Sequence, residues 1–514
     1  MPWLPAVFLP GQRQIGLPSP LSCIYSARAP IAEPKPNRPI VPHPLPTLPA
    51  IGAAPLLKDG KEILLVAGSV KGFPRFVDVR SIQPAVGRPA GGWGGRTRAG
   101  QVALAAHVFT TREISMPDRT ILISGASIAG PALAYWLHRH GMTPIVVERA
   151  DAIRPGGQTV DVRGAGRTVV RRMGIEEAVR DASTGEKGVA FVDRDNTTKA
   201  AFGADLFDGD GPVAELEILR GQFAELLYDQ TRDHTEYVFG DHITALRDTG
   251  ESVHVTFEHG PAREVDLVVA ADGIRSATRS LIFGSEARIR PLGVYIAYFT
   301  IPRGSTDGDW ARWYNAPGGL TVTLRPDNVG TTRALLSFRS GPAGYENLGI
   351  EEQKAVLRAK FAHAGWETPR VLAGLGDSPD FYFELIGQVH APRWSRGRTA
   401  LLGDAGYCPS PISGMGTSLA LVGAYVLAGE LATHADHREA FASYETVLRP
   451  YVTAAQRLPP LVARVAFPRT KAGIRVLYSV LRVASGPRVQ RLASRLRPPP
   501  TDDIELPDYA TAAR

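Results

Sequence analysis

Hydrophobic positions between residues 116 and 514 follow two rhythms. Ile121, Leu122 and Ile123 form the continuous apolar run of a buried strand, and "TPIVVER", reaching Glu148, repeats it. Between them the pattern predicts a helix, with Pro131 in the favoured first helical position and Gly141 just past its end. "GGQTVDVRGAGRTVVRRMGI" (156–175) leads from glycines and polar residues into a second helical pattern, and "ELEILRGQFAELLYD" (215–229) puts Arg220 at the front of an amphipathic helix. "VDLVVAADGIRSATRSLIFG" (265–284) is a strand running into Asp272-Gly273. "GRTALLGDAGYCPSPISGMGTSLALVGAYVLAGEL" (397–431) is a strand ending in Gly403-Asp404, a Pro/Gly loop and a long buried helix starting near Thr417. The stretches 188–202 and 293–341 instead alternate and are rich in aromatics, which predicts a mostly antiparallel sheet.

The turn after the first strand, "GASIAG", offers two chemistries. A nucleophile elbow needs Gly-x-Ser-x-Gly, so that glycines on both sides relieve crowding around the lifted serine. Here Ala129 holds the second position and glycine comes one residue later, at Gly130. Gly125-x-Ser127-x-x-Gly130 fits the dinucleotide fingerprint instead, with a small residue in place of its middle glycine. Glu148 then stands near the offset at which a carboxylate accepts from ribose hydroxyls, while the helix amino end faces a pyrophosphate.

Composition alters this picture mainly at the ends of the chain. Thirteen of the 42 prolines fall in the first fifty residues, and such a segment should hardly pack. Residues 1–115 hold 13 Lys and Arg against 5 Asp and Glu, so this leader carries +8 and the remainder −1, which together make the chain's formal charge of +7. A body so nearly neutral gives no argument for nucleic-acid binding. The leader is Arg-rich and acid-poor, as targeting peptides are, but prolines interrupt any amphipathic helix and no positive residue precedes the first apolar part. Met116, directly before "PDRTILISGAS", favours an over-extended gene start, with a genuine disordered extension as the alternative. Cys23 and Cys408 are the only cysteines, which gives neither a disulfide framework nor a thiolate metal site and makes a cytoplasmic address the expectation. The histidines show no metal-ligand spacing, and no metal is expected. No uninterrupted apolar run reaches the ~18 residues of a spanning helix. From 463 to 497 the chain carries nine basic residues and no acidic one, a pattern that suits a helix packed on its own domain or, less commonly, contact with an anionic membrane.

In this order, the turn with its Glu148, the Arg220 helix, the Asp272-Gly273 strand end and the Gly403-Asp404 loop resemble the flavin-dependent monooxygenases of the aromatic-hydroxylase type, in the branch of the tetracycline-inactivating enzymes, over residues 116–440. The resemblance implies an α/β fold, a Rossmann-like FAD-binding domain with an inserted, mostly antiparallel substrate sheet and a helical C-terminal tail. It divides the chain, after the leader 1–115, into FAD-binding parts at 116–187, 214–284 and 391–440, substrate parts at 188–213 and 285–390, and a tail at 441–514. It assigns Gly125, Ser127, Ile128, Ala129 and Gly130 to the FAD pyrophosphate, Glu148 with the adjacent Arg149 to the adenosine side, and Arg220 to FAD. Asp272 and Gly273 would lie near the dinucleotide and be linked to nicotinamide use, and Asp404 would hold the ribityl or pyrophosphate region. Pro411, Gly414, Met415 and Gly416 would bring backbone against the isoalloxazine.

The family often has His where this chain has Tyr407, and Asn and Asp where it has Ser418 and Gly423, so flavin affinity or ring mobility is expected to differ. Cys408 reads as a small buried filler, Arg163 as part of a solvated face, and Gln158 carries no assignment. Phe191, Tyr298, Trp313 and Phe338 are candidates for lining the substrate cavity, though each also suits ordinary sheet core. The implied activity is NADPH- or NADH-dependent hydroxylation by O2 of a small, aromatic or polycyclic organic substrate through a flavin C4a-hydroperoxide, with no catalytic side chain required. Three alternatives stand beside it: an FAD oxidoreductase without oxygen insertion, a non-catalytic flavin-binding regulator, and a serine hydrolase using Ser127.

Overall fold

The structure, a computed structural model, describes residues 56–58, 61–63, 119–204, 216–459, 461–486, 488–490 and 504–509. Within the leader it describes one antiparallel pair, Leu56–Lys58 with Lys61–Ile63. The other expectations for residues 1–118, Cys23 and Met116 included, lie outside the described residues.

The run Thr120–Ser124 lies inside a six-stranded sheet. The order is Ser395–Arg396, Thr399–Leu401, Leu267–Ala270, Thr120–Ser124, Thr143–Glu148, Glu236–Phe239, and every pair except the first is parallel. A parallel sheet is covered on both faces, which is why its strands read as unbroken apolar runs. Ile121, Ile123 and Val146 face the helices Ala129–Arg139 and Gly416–Thr433. Leu122, Ile145 and Val147 face a three-stranded antiparallel meander, Ile243–Asp248, Val253–Phe257 and Arg263–Val265, which the sequence pattern did not announce. Helix Ala129–Arg139 begins two residues earlier than expected, so Pro131 is its third residue. The ring is still tolerated, because amides of the first turn have no intrahelical acceptor. Helix Gly416–Thr433 has the length and apolarity of a membrane span, and it is a core helix here, covered by Ala129–Arg139 and His437–Gln456.

The second sheet has seven strands: Tyr382–His390, Arg288–Pro302, Thr331–Arg339, Leu320–Pro326, Ala311–Ala316, Gly188–Val192 and Thr198–Gly203. Its pairs are antiparallel except Ala311–Ala316 with Gly188–Val192, which meet only after the chain has passed through the parallel sheet. Alternation sorts its side chains onto two faces. One carries Phe191, Ile296, Tyr298, Trp313 and Leu335, with Ile412 and the C-terminal Leu477 and Leu481 packed on it. The other carries Tyr295, Tyr314, Phe338 and Phe383 beneath helix Ile350–Phe361.

Buried charges join the second sheet to the pair Thr159–Val162 and Leu216–Leu219. Arg325 binds Glu186 at 2.9 Å and Glu217 at 2.7 Å, and donates to Thr159 Oγ1. Burial of Glu217, only partly offset by Arg325, pushes its carboxyl up to about 8. Its Oε1 has no hydrogen-bond partner, an arrangement a neutral carboxyl tolerates better than a carboxylate.

Candidate active site

The first site is built at the carboxyl ends of the parallel strands, where open α/β sheets place ligands. Gly125 has φ +109°, and a Cβ there would stand 2.7 Å from the Ala271 carbonyl oxygen. A Cβ at Gly130 would collide with the Gly125 carbonyl itself. The turn is thus closed against side chains at both glycines, while Ile128 and Ala129 are nearly buried behind it. Glu148 ends its strand inside this turn, its carboxylate accepting from the amides of Ala126 (2.9 Å) and Ala150 (3.0 Å). The neighbouring Arg149 is exposed.

Arg220 opens helix Arg220–Asp229 and reaches back to the turn. Its Nη1 donates to Ser127 Oγ at 3.2 Å, and its Nη2 to the carbonyls of Arg154 and Gly156, both at 3.2 Å. Burial, with help from Arg154, lowers its pKa to about 10, against the raising effect of Glu148. Asp380 holds the same glycine loop from the other side, accepting from the amide of Gly157 (3.3 Å) and from Thr300, and pairing with Arg333 at 2.8 Å. A guanidinium cannot act as a base. The partner of Ser127 is therefore wrong for a nucleophile and right for an anion-binding turn.

Two further strand ends complete the ring. Asp272, beside Gly273, accepts from the Thr278 amide (3.1 Å) in the first turn of helix Ala277–Phe283 and from the hydroxyl of Ser276, which caps that helix. Arg279, in that helix, is buried and donates to the Ala405 carbonyl at 3.0 Å and the Ile274 carbonyl at 2.8 Å, tying the two strand ends together. Asp404 opens a one-turn helix, Asp404–Tyr407, and burial pushes its carboxyl up. Pro411, Gly414, Met415 and Gly416 follow in the loop that leads into Gly416–Thr433. Just before them Ser410 has φ +82° and ψ +148°, a conformation nearly reserved for glycine.

Of the four aromatic candidates, Phe191, Tyr298 and Trp313 share the sheet face that packs on Ile412 of this loop, with the Phe191 and Trp313 rings 5.7 Å apart. Phe338 does not join them. It is on the opposite face, stacked on Tyr295 at 5.2 Å, because residues one apart in a strand point to opposite sides. Sequence reasoning missed the residues that bring polarity to this wall. Tyr382, 41% exposed, donates to Glu384 Oε2 at 3.1 Å and stacks near Tyr298. Burial pushes Glu384 up to about 7, opposed by the Tyr382 hydrogen bond and reinforced by Asp404. Neither residue belongs to a spaced motif. Arg163 also departs from expectation, being 6% exposed and paired with Asp161 at 3.0 Å rather than solvated.

The positions that depart from the expected pattern prove to be coupled. Tyr407 is buried, its hydroxyl on that of Tyr444 at 2.9 Å, and a Cβ at Gly423 would collide with that hydroxyl. The larger ring and the missing side chain occupy one space. Ser418 Oγ in turn bonds the amide and carbonyl of Arg163 (3.2 and 3.1 Å) and lies against Gly166, so it serves as packing between the helix Gly416–Thr433 and the start of the helix Gly164–Met173. Cys408 is buried with its Sγ toward the Gly387 carbonyl, and burial pushes the thiol well up, as suits a filler.

Residues 118–458 match the family model described as an FAD binding domain. The chain belongs to the flavin-dependent monooxygenases of the aromatic-hydroxylase type. A flavin-dependent monooxygenase, eupH, from a Phoma species is 36% identical over 77% of this chain and 98% of its own length. An uncharacterised protein of Mycobacterium tuberculosis is 42% identical over 66% of this chain and 92% of its own. Among solved structures, the tetracycline destructase Tet(51) is 32% identical with a TM-score of 0.66, covering 76% of this chain and all of its own. The mixed α/β architecture is that of FAD-binding monooxygenases.

Proposed function

We propose that the chain is an NAD(P)H- and O2-dependent monooxygenase that hydroxylates a small aromatic or polycyclic molecule held against the seven-stranded sheet. The parallel sheet serves as its Rossmann-like FAD-binding domain. The observation that carries this reading is the turn closed against side chains at Gly125 and Gly130, with Arg220 and Asp404 flanking it and an aromatic sheet face opposite. Gly125 to Gly130 and Arg220 would hold the pyrophosphate, Glu148 the adenosine ribose, Asp404 the ribityl hydroxyls, and the Pro411–Gly416 backbone the isoalloxazine edge. Bound FAD would supply the redox chemistry, so that NAD(P)H, a proton, O2 and substrate give NAD(P)+, water and hydroxylated product. The protein's own share is position and dryness. Phe191, Tyr298 and Trp313 exclude water and stack a flat substrate, while Glu384, with Tyr382 on its Oε2, holds a proton where a substrate hydroxyl is oriented.

The test is a compound screen for stimulated NADPH and NADH oxidation by the purified chain, with product masses read for one added oxygen. Stimulation without added mass would favour an oxidoreductase that moves electrons only. Absence of bound flavin would remove the site assignments. Asp404→Ala and Arg220→Ala should each weaken FAD retention by about 1.5 to 3 kcal/mol, the worth of a charge-assisted hydrogen bond.

A further inference from the structure

Helix Lys471–Ala484 buries one apolar face and shows another to solvent. Leu477 and Leu481 pack on the seven-stranded sheet, and the Tyr478 hydroxyl donates to the Val192 carbonyl at 2.8 Å. Val476, Val480 and Val483 are 64%, 41% and 63% exposed. Their spacing of four and three residues puts them in a single outward stripe. Leu461 and Val465, around the short helix Val462–Ala466, and Val489 are exposed as well. Half of the exposed large apolar side chains among the described residues therefore fall between 461 and 489. Scattered single residues of this kind need no explanation, but a concentration does.

Charge narrows the choice of partner. The described cations here are Arg464, Arg469, Lys471, Arg475, Arg482 and Arg488, and no Asp or Glu occurs from 463 to 497. Arg464 and Arg469 also approach Arg339 of the adjoining sheet, whose pKa burial and both of these charges lower. A second copy would bring like charges together, and the chain's own basic leader would do the same. The stripe faces outward with the exposed Arg475 and Arg482 on its flank, a combination suited to a soft, flat, anionic surface. We propose that this face docks on an anionic lipid membrane, the valines entering the headgroup region and the arginines and lysine lying beside lipid phosphates. This inference does not depend on the reaction proposed above.

The experiment is co-sedimentation of the full-length chain with phosphatidylcholine vesicles, with and without phosphatidylserine, over a range of salt. Binding is expected only with phosphatidylserine and should fall as salt rises. Each basic residue near such a surface is worth about fivefold in partitioning, so Arg475→Gln/Arg482→Gln should lower binding by roughly 25-fold. Val476→Ser/Val480→Ser/Val483→Ser should lower it by tenfold or more, with flavin content and melting temperature as checks on folding. If the valine variant does not fold, the arginine variant carries the test alone. No binding of the wild type to phosphatidylserine vesicles overturns the proposal. So does binding that neither variant weakens, which would assign it to the leader, or a valine variant that changes only the oligomeric mass, which would assign the face to a second copy.

Discussion

In the parallel sheet the positions that matter are places where a side chain must be absent; in the seven-stranded sheet they are side chains, and what matters is the face they reach. Gly130 is dictated by the Gly125 carbonyl of the same turn and Gly125 by the Ala271 carbonyl at the next strand end, yet both glycines stand within one six-residue turn. Crowding of one turn leaves a short spacing. Phe191, Tyr298 and Trp313 come from three strands, and nothing near any of them states which face of the sheet will meet the Pro411–Gly416 loop.

The largest effect should come from Gly130→Ala. One methyl cannot be seated against the Gly125 carbonyl, so the turn must open and FAD retention should be lost, read as flavin absorbance per protein. Trp313→Phe on the other sheet should leave flavin content unchanged while altering which compounds stimulate NAD(P)H oxidation. Equal flavin loss in both would erase the distinction between the two regions.

A smaller effect is expected from the pair that flanks the Pro411–Gly416 loop. Gly423→Ala drives a methyl into the Tyr407 hydroxyl and should cost about 1 to 3 kcal/mol, the usual range for overpacking. Tyr407→His should recover most of it when combined, because the smaller ring vacates that space. Thermal melts of the two single variants and the double give the coupling directly. Additive losses would mean that the two positions are independent.

This coupling also marks where sequence alone ran out. The two departures are sixteen residues apart and read as unrelated weaknesses of the flavin site, although in the fold they compensate one another. That Phe338 takes the face opposite Phe191, Tyr298 and Trp313 is not legible in sequence, because alternation gives parity within a strand but not which parity faces the Pro411–Gly416 loop. Arg163 reads as solvated because its backbone tie to Ser418 comes from far along the chain, while its pairing with Asp161, two residues away, gives no sign of burial by itself. Arg279, Tyr382 and Glu384 left no signal, since a buried arginine or carboxylate on a strand or helix has no spacing of its own. The strand–turn–helix–strand unit was legible because its marked positions, Gly125, Gly130 and Glu148, stand within thirty residues of one another, although Ala271 and the helix Gly416–Thr433 that press on it come from far along the chain.

The charged junction between the two sheets gives a pH test. Glu217 in the folded chain keeps a proton that the unfolded chain releases at the ordinary glutamate pKa. Its contribution to stability is therefore fully present below that range and is lost as pH rises toward about 8. Glu217→Gln keeps the shape and cannot ionise, so the melting temperature should fall less steeply with pH across this window than in the wild type. Parallel slopes would place the proton elsewhere in the Arg325 cluster.

The smallest effect is expected at Ser127, where the two readings of the turn differ most. Its hydroxyl accepts from Arg220, a group that cannot take its proton, and its Cα lies where the fingerprint elsewhere has glycine. Ser127→Gly removes one hydrogen bond and restores the common pattern. Flavin content and substrate-stimulated NAD(P)H oxidation should stay within a few-fold, corresponding to about 1 kcal/mol. A hydrolytic serine would behave otherwise, since loss of a nucleophile costs several orders of magnitude. Measuring both quantities separates the cases, and a variant with full flavin occupancy but no turnover would show that the hydroxyl takes part in the chemistry.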